Sequence, residues 1–67
     1  MIQVMLNGEE ILIAEQATLF DLLEQQQLIN KRIAVEMNQY TLPRSQYKTT
    51  YLKQGDQLEI VQAIGGG

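Results

Sequence analysis

The chain has 67 residues, 45% of them hydrophobic, with five Lys and Arg against eight Asp and Glu and a formal net charge of −3. It contains no Cys and no His, which excludes a disulfide framework, a thiolate metal site, a thiol nucleophile and the usual imidazole base. One small domain is all this length supports, and the sparse basic residues (Lys31, Arg32, Arg44, Lys48 and Lys53) argue against a nucleic-acid partner and suit docking onto a basic protein surface.

Residues 2–6 alternate, with Ile2, Val4 and Leu6 on one face and Gln3 and Met5 on the other, which is the period of a half-buried strand. Asn7-Gly8 follows, and both residues tolerate the positive φ that a two-residue hairpin turn needs. Ile11 and Ile13 then alternate with Glu10, Leu12 and Ala14, so residues 1–14 read as a β-hairpin. At Thr18 the period changes. Thr18 can cap a helix start with Asp21 three residues on, and Leu19, Leu22 and Leu23 make an apolar stripe beside Phe20. The expected helix covers residues 18–27. At about ten residues it is too short to stand alone and has to pack on a sheet.

Ile33, Val35 and Met37 alternate in a further strand, and Asn38-Gln39 suits a turn. Residues 42–45 read as an irregular connection, because Pro43 removes a ladder donor. Tyr47 and Tyr51 are expected to cover the edge of the core, and Thr49-Thr50 to form a short extended stretch. Gly55-Asp56 marks a turn. Leu58 and Ile60 share one face of the last strand, with Glu59 and Val61 opposite. This order predicts an α+β fold in which one main helix packs across one face of a mixed sheet of four to five strands, with the first and last strands parallel. That arrangement is the β-grasp, assigned here to residues 1–64, with residues 65–67 as a flexible glycine tail.

The side chains offer little chemistry. Glu9 and Glu10 are adjacent, so on a strand their carboxylates diverge and cannot share a metal. Asp56 reads better as a turn residue than as a ligand, and Ser45 has no base in view. Asn7-Gly8 lacks the glycine pattern and strand-to-helix setting of a phosphate loop. The distinctive feature is Gly65-Gly66-Gly67, which follows directly on the apolar Ile64. Glycines can thread a narrow groove and adopt angles closed to other residues. Three extended residues reach roughly 10 Å, enough to carry a carboxylate into another protein's active site. Read alone, such an end is equally a plain flexible terminus. A tiny domain without catalytic side chains, whose last strand runs straight into the glycines, tips the reading toward function.

Taken in order, the segments Leu6-Asn7-Gly8-Glu9, Thr18-Leu19-Phe20-Asp21-Leu22-Leu23, Ile33-Ala34-Val35-Glu36-Met37-Asn38, Leu42-Pro43-Arg44 with Tyr47, Gly55 through Val61, and Ile64 through Gly67 resemble the sulfur carriers of thiamine biosynthesis. These belong to the broader ubiquitin-like carriers, and the resemblance spans essentially the whole chain. Gln54 departs from the pattern, standing where the family often has an acidic residue. The resemblance implies a carrier that is not itself an enzyme and binds no cofactor of its own. A ThiF-like adenylyltransferase would use ATP and magnesium to convert the Gly67 carboxylate into an acyl-adenylate. A sulfur donor such as a cysteine desulfurase would turn it into a thiocarboxylate, and a ThiG-like thiazole synthase would receive the sulfur. Gly65, Gly66 and Gly67 would enter the partners' active sites. Candidate docking contacts are Met5, Leu12, Val61 and Ile64. Arg44 reads either as a partner contact or as half of a surface ion pair.

Three rival readings share these features. They are the small subunit of molybdopterin synthase, a protein modifier conjugated through Gly67, and a binding module with an idle tail. No apolar run approaches the ~20 residues that span a bilayer. Met1-Ile2-Gln3-Val4 has neither the basic nor the apolar region of a signal peptide, so the expected compartment is the cytoplasm.

Overall fold

The computed structural model describes residues 1–62. The expected tail of residues 65–67, and Ile64 before it, lie outside the described residues. Strand β1 (Ile2–Leu6) pairs antiparallel with β2 (Glu9–Ile13), with Leu6 opposite Glu9. Only Asn7 and Gly8 join them, at φ of 50° and 85°. Both angles lie in the left-handed region, as a primed two-residue turn requires. Helix α1 (Leu19–Gln25) follows, then β3 (Ile33–Met37), β4 (Tyr40–Leu42), a short 3-10 turn (Arg44–Gln46) and β5 (Gln57–Gln62). The sheet order is β2-β1-β5-β3-β4, with β1 and β5 parallel and β3 antiparallel to both β5 and β4. This is the β-grasp, with β5 in the middle of the sheet and the helix across one face.

The core is the one the alternation predicts. Val4, Leu6, Ile13, Val35, Leu58 and Ile60 from the sheet meet Leu19, Leu22 and Leu23 from α1, all buried. Tyr47 and Leu52 close the cluster from the long connection before β5. Tyr51, expected beside Tyr47 at the core edge, is instead 59% exposed, and its backbone makes an isolated bridge to Thr18.

The start of α1 shows why that connection folds as it does. The first four N–H groups of a helix have no partner within it. Here Thr18 N–H donates to Asp21 Oδ2 (2.9 Å) and Asp21 N–H to Thr18 Oγ1 (3.2 Å), closing the capping box. The two between them donate to the loop, Leu19 to the Thr50 carbonyl (2.8 Å) and Phe20 to that of Tyr47 (3.0 Å). All four are thus satisfied. The loop is drawn into a turn, with the Thr49 and Thr50 hydroxyls both donating to the Gln46 carbonyl. Local side-chain bonds of this kind compete with strand pairing, so the extended stretch expected at Thr49-Thr50 does not form.

Two further expectations are corrected. The helix stops at Gln25, two residues short of the predicted end, because Gln27 turns left-handed at φ 62°. Gln27 N–H then bonds the Glu24 carbonyl (3.0 Å) and Leu28 N–H the Leu23 carbonyl (2.8 Å). These are the two bonds of a Schellman motif, and Leu28 folds back against the core. The stop was hidden because glutamine stands where glycine normally signals it. Strand β4 also went unread. It has three residues, follows a turn whose two residues are Asn38 (φ 51°) and Gln39 (φ 73°), and ends at Pro43. A short edge strand stopped by proline resists pairing with other chains.

Gln27→Gly removes the side-chain clash of a left-handed residue, so it is expected to stabilise the domain by about 0.5–1 kcal/mol, partly offset by the greater freedom of glycine in the unfolded chain. Urea denaturation checks this; an unchanged or lower midpoint would show that the helix end carries no strain.

Candidate functional site

The last described strand is held on both edges by side chains as well as by backbone. On one side, Met5 N–H donates to the Asp56 carbonyl and Asn7 N–H to that of Leu58, both at 2.9 Å. There β1 ends and its chain turns away into the hairpin. The Asn7 side chain continues the ladder. Its Oδ1 accepts from Ile60 N–H (2.8 Å) and its Nδ2 donates to the Ile60 carbonyl (3.1 Å). A carboxamide presents a donor and an acceptor just as a peptide group does, so one side chain stands in for a strand residue.

A second turn asparagine treats the start of β5 in the same way. Asn38 N–H donates to the Gln57 carbonyl (2.8 Å), Gln57 N–H donates to Asn38 Oδ1 (3.0 Å), and Asn38 Nδ2 donates to Asp56 Oδ1 (3.0 Å). Asp56 is buried and also accepts from Lys53 N–H at 2.7 Å. It is a turn anchor, as the sequence suggested, with its oxygens committed to the fold. Gln54 completes the turn, its Oε1 accepting from Gln3 N–H at 2.9 Å. An amide oxygen serves there as an acidic residue would.

Both asparagines read from sequence only as turn formers. The missed signal was available in part. Asparagine at a left-handed turn position beside a strand that runs on carries its own amide into the gap that the departing chain leaves.

The register places Met5, Leu12 and Val61 on the sheet face away from the helix. Leu12 and Val61 are largely exposed, at 60% and 65%, and Met5 is half-buried. They do not form one patch. Leu12 is level with Gln3, Met5 with Gln57, and Val61 lies four residues further along β5, so Leu12 and Val61 are about 20 Å apart along the strands. Between and beside them the same face carries Glu10, Glu36 and Glu59 and no Lys or Arg in any strand. Glu36 and Glu59 are directly opposite each other, an arrangement that costs stability. Glu9 and Glu10 diverge as expected, one level with Leu6 and the other with Met5.

At the far end of β5 a shallow depression of about 300 Å³ is lined by Arg32, Ile33, Ala34, Arg44, Val61 and Gln62. Among the described residues Arg44 takes part in no ion pair; elsewhere the N-terminal ammonium pairs with Glu15 at 3.7 Å. On the helix side Lys48 Nζ lies 4.8 Å from the Phe20 ring centre, a cation–π contact. Among the described residues no three His, Cys, Asp or Glu gather where they could hold a metal, and no helix is long and apolar enough to cross a membrane. Ile64, Gly65, Gly66 and Gly67, the remaining candidate site residues, lie outside the described residues.

Residues 3–67 match the model of the ThiS family. The chain belongs to the ThiS family. It is 32% identical to the sulfur carrier protein ThiS of Escherichia coli (strain K12) over 65 residues, 97% of this chain and 98% of that protein. It is also 37% identical to a thiazole synthase of Paramagnetospirillum magneticum over 97% of this chain, a match that takes in only 20% of that longer protein. Among solved structures, the crystal structure of a thiamine biosynthesis protein (ThiS) from Geobacter metallireducens superposes with a TM-score of 0.83 at 28% identity, covering 98% of this chain and all of that one. The ThiS-family match begins within β1 and runs on to Gly67.

The acidic pair gives a direct check on this face. Glu59→Lys places opposite charges across β3 and β5, and is expected to raise the melting temperature by roughly 2–4 °C at low salt, with the gain shrinking as salt is added. A fall in melting temperature would show that the two carboxylates do not oppose each other.

Proposed function

We propose that this ThiS-family chain is a sulfur carrier of thiamine biosynthesis whose reactive atom is the carboxyl carbon of Gly67. The observation that carries the reading is the family match ending at Gly67, on a chain whose central strand leads toward that residue. The carriers of Escherichia coli and this chain align over nearly their full lengths. The relative named as a thiazole synthase holds a ThiS-like stretch within a longer polypeptide, which supports thiazole synthase as the sulfur acceptor. The same relationships favour the thiazole branch over a molybdopterin synthase subunit.

The chemistry follows from what a carboxylate lacks. Its carbon is a poor electrophile at neutral pH, and this chain brings no His or Cys to change that. Activation therefore comes from a partner. A carboxylate oxygen of Gly67 attacks the α-phosphorus of ATP, held with magnesium by a ThiF-like adenylyltransferase, and pyrophosphate leaves. Sulfide attacks the acyl carbon directly; a persulfide loaded by a cysteine desulfurase attacks through its terminal sulfur, and the resulting acyl disulfide is then cleaved by a thiol, which is left as a disulfide. A C–S bond forms, the C–O bond to AMP breaks, and a thiocarboxylate remains for a ThiG-like thiazole synthase. The carrier is a co-substrate of these enzymes in the cytoplasm, and it presents its terminus without catalysing a step.

The acidic open face suits docking onto a basic partner surface, with Met5, Leu12, Val61 and Ile64 as apolar contacts and Gly65, Gly66 and Gly67 entering the active site. Charge of one sign steers encounter and fixes orientation more than it adds affinity. It also explains why a repulsive Glu36–Glu59 pair would be kept.

Deleting Gly67 is expected to leave the fold and melting temperature unchanged, because Ile60 is the last buried core residue among the described residues, and to abolish thiazole formation in a reconstituted assay. Circular dichroism and product analysis check the two halves. Full activity in the shortened protein would overturn the proposal.

A further inference from the structure

We propose that Asn7 is a positioning residue for the reactive terminus: its side-chain amide holds β5 on the line from which the tail reaches a partner's active site. The inference rests on the carrier reading above.

Ile60 is the last point at which β5 is held from the β1 side among the described bonds, and both of its backbone groups are held by Asn7. Beyond Ile60, β5 pairs with β3 alone, Val61 with Ala34 and Gln62 with Ile33. Gly67 lies seven residues past Ile60. The bonds at Ile60 therefore set the direction in which the strand points when it reaches Gln62. A misplacement near 1 Å at a reacting centre costs up to about a hundredfold in rate.

Asn7 suits this role for two reasons. Its left-handed backbone builds the hairpin turn, and that same geometry aims its amide at β5 instead of at solvent. Turn and clamp can thus be separated by substitution. Glycine keeps the positive φ and removes the amide. The natural control is Asn38, which clamps the opposite end of the same strand from an equally left-handed turn position.

The experiment measures loading of the purified full chain by its ThiF-like adenylyltransferase, with magnesium, ATP and sulfide, for wild type, Asn7→Gly and Asn38→Gly. Each variant is first shown to be folded by its amide NMR spectrum at the assay temperature. Asn7→Gly is expected to lower kcat for thiocarboxylate formation at least about tenfold with KM changed less than twofold, since the docking face is untouched and only the terminus is misplaced. Asn38→Gly is expected to lose comparable stability while keeping kcat. Faster hydrogen exchange at the Ile60 amide in Asn7→Gly would report loss of the clamp itself. Equal kcat for Asn7→Gly and wild type overturns the positioning role, as does an equal loss of kcat in Asn38→Gly. Wild type that is never loaded overturns the carrier reading, and the positioning role falls with it.

Discussion

An interior strand needs hydrogen-bond partners on both edges, and in this protein the strand that leads toward Gly67 is interior. Strand β5 lies between β1 and β3, yet β1 ends at Leu6 while β5 runs on to Gln62. A buried backbone group left without a partner costs free energy comparable to a lost hydrogen bond. The Asn7 amide takes up the groups of Ile60 that β1 no longer reaches, and Asn38 does the same for Gln57 at the start of the strand. Both asparagines are available because both are turn residues at positive φ. The hairpin turns therefore do more than reverse the chain: each secures one end of β5, and Asn7 holds the end nearer Gly67.

The rest of the molecule can be understood as support for that arrangement. Leu58 and Ile60 anchor β5 to the helix face, where Leu19, Leu22 and Leu23 cover them. The helix is only seven residues long, too short to be stable alone, and it is fixed at its start by a capping box and two loop carbonyls. Asp56 ties the turn before β5 to Asn38. On the opposite face little is buried, and carboxylates oppose one another across β3 and β5. One face is thus spent on stability, while the other is left acidic and partly apolar, as a surface awaiting a basic partner would be.

Much of this was legible in the residues. Alternation in β1, β2, β3 and β5 identified the strands and their inward faces, Asn7-Gly8 located the hairpin, and Thr18 with Asp21 located the helix start. What escaped had physical causes. Gln27 ends the helix in a conformation that glycine usually announces. Strand β4 is too short to show a period, and its turn holds a glutamine at φ 73°. Thr49 and Thr50 favour strands in general, but here their hydroxyls bond a nearby carbonyl instead. Of the candidate docking residues, Met5, Leu12 and Val61 were placed on the face away from the helix by parity alone, since a period of two settles direction. Parity says nothing about distance along the strands, and so it could not show that Leu12 and Val61 lie far apart. The clamp formed by Asn7 depends on a strand more than fifty residues away in sequence, which local pattern cannot reveal.

The central claim is that the reactive atom belongs to the backbone of Gly67 and to no side chain. Intact-mass measurement tests it most directly. The protein is incubated with magnesium, ATP, a ThiF-like adenylyltransferase and sulfide, beside a version whose Gly67 carboxyl is blocked as an amide. The free-ended protein is expected to gain the mass of one sulfur in place of one oxygen, and the amide to gain nothing. A sulfurated amide, or a free-ended protein whose mass never changes, would contradict the claim.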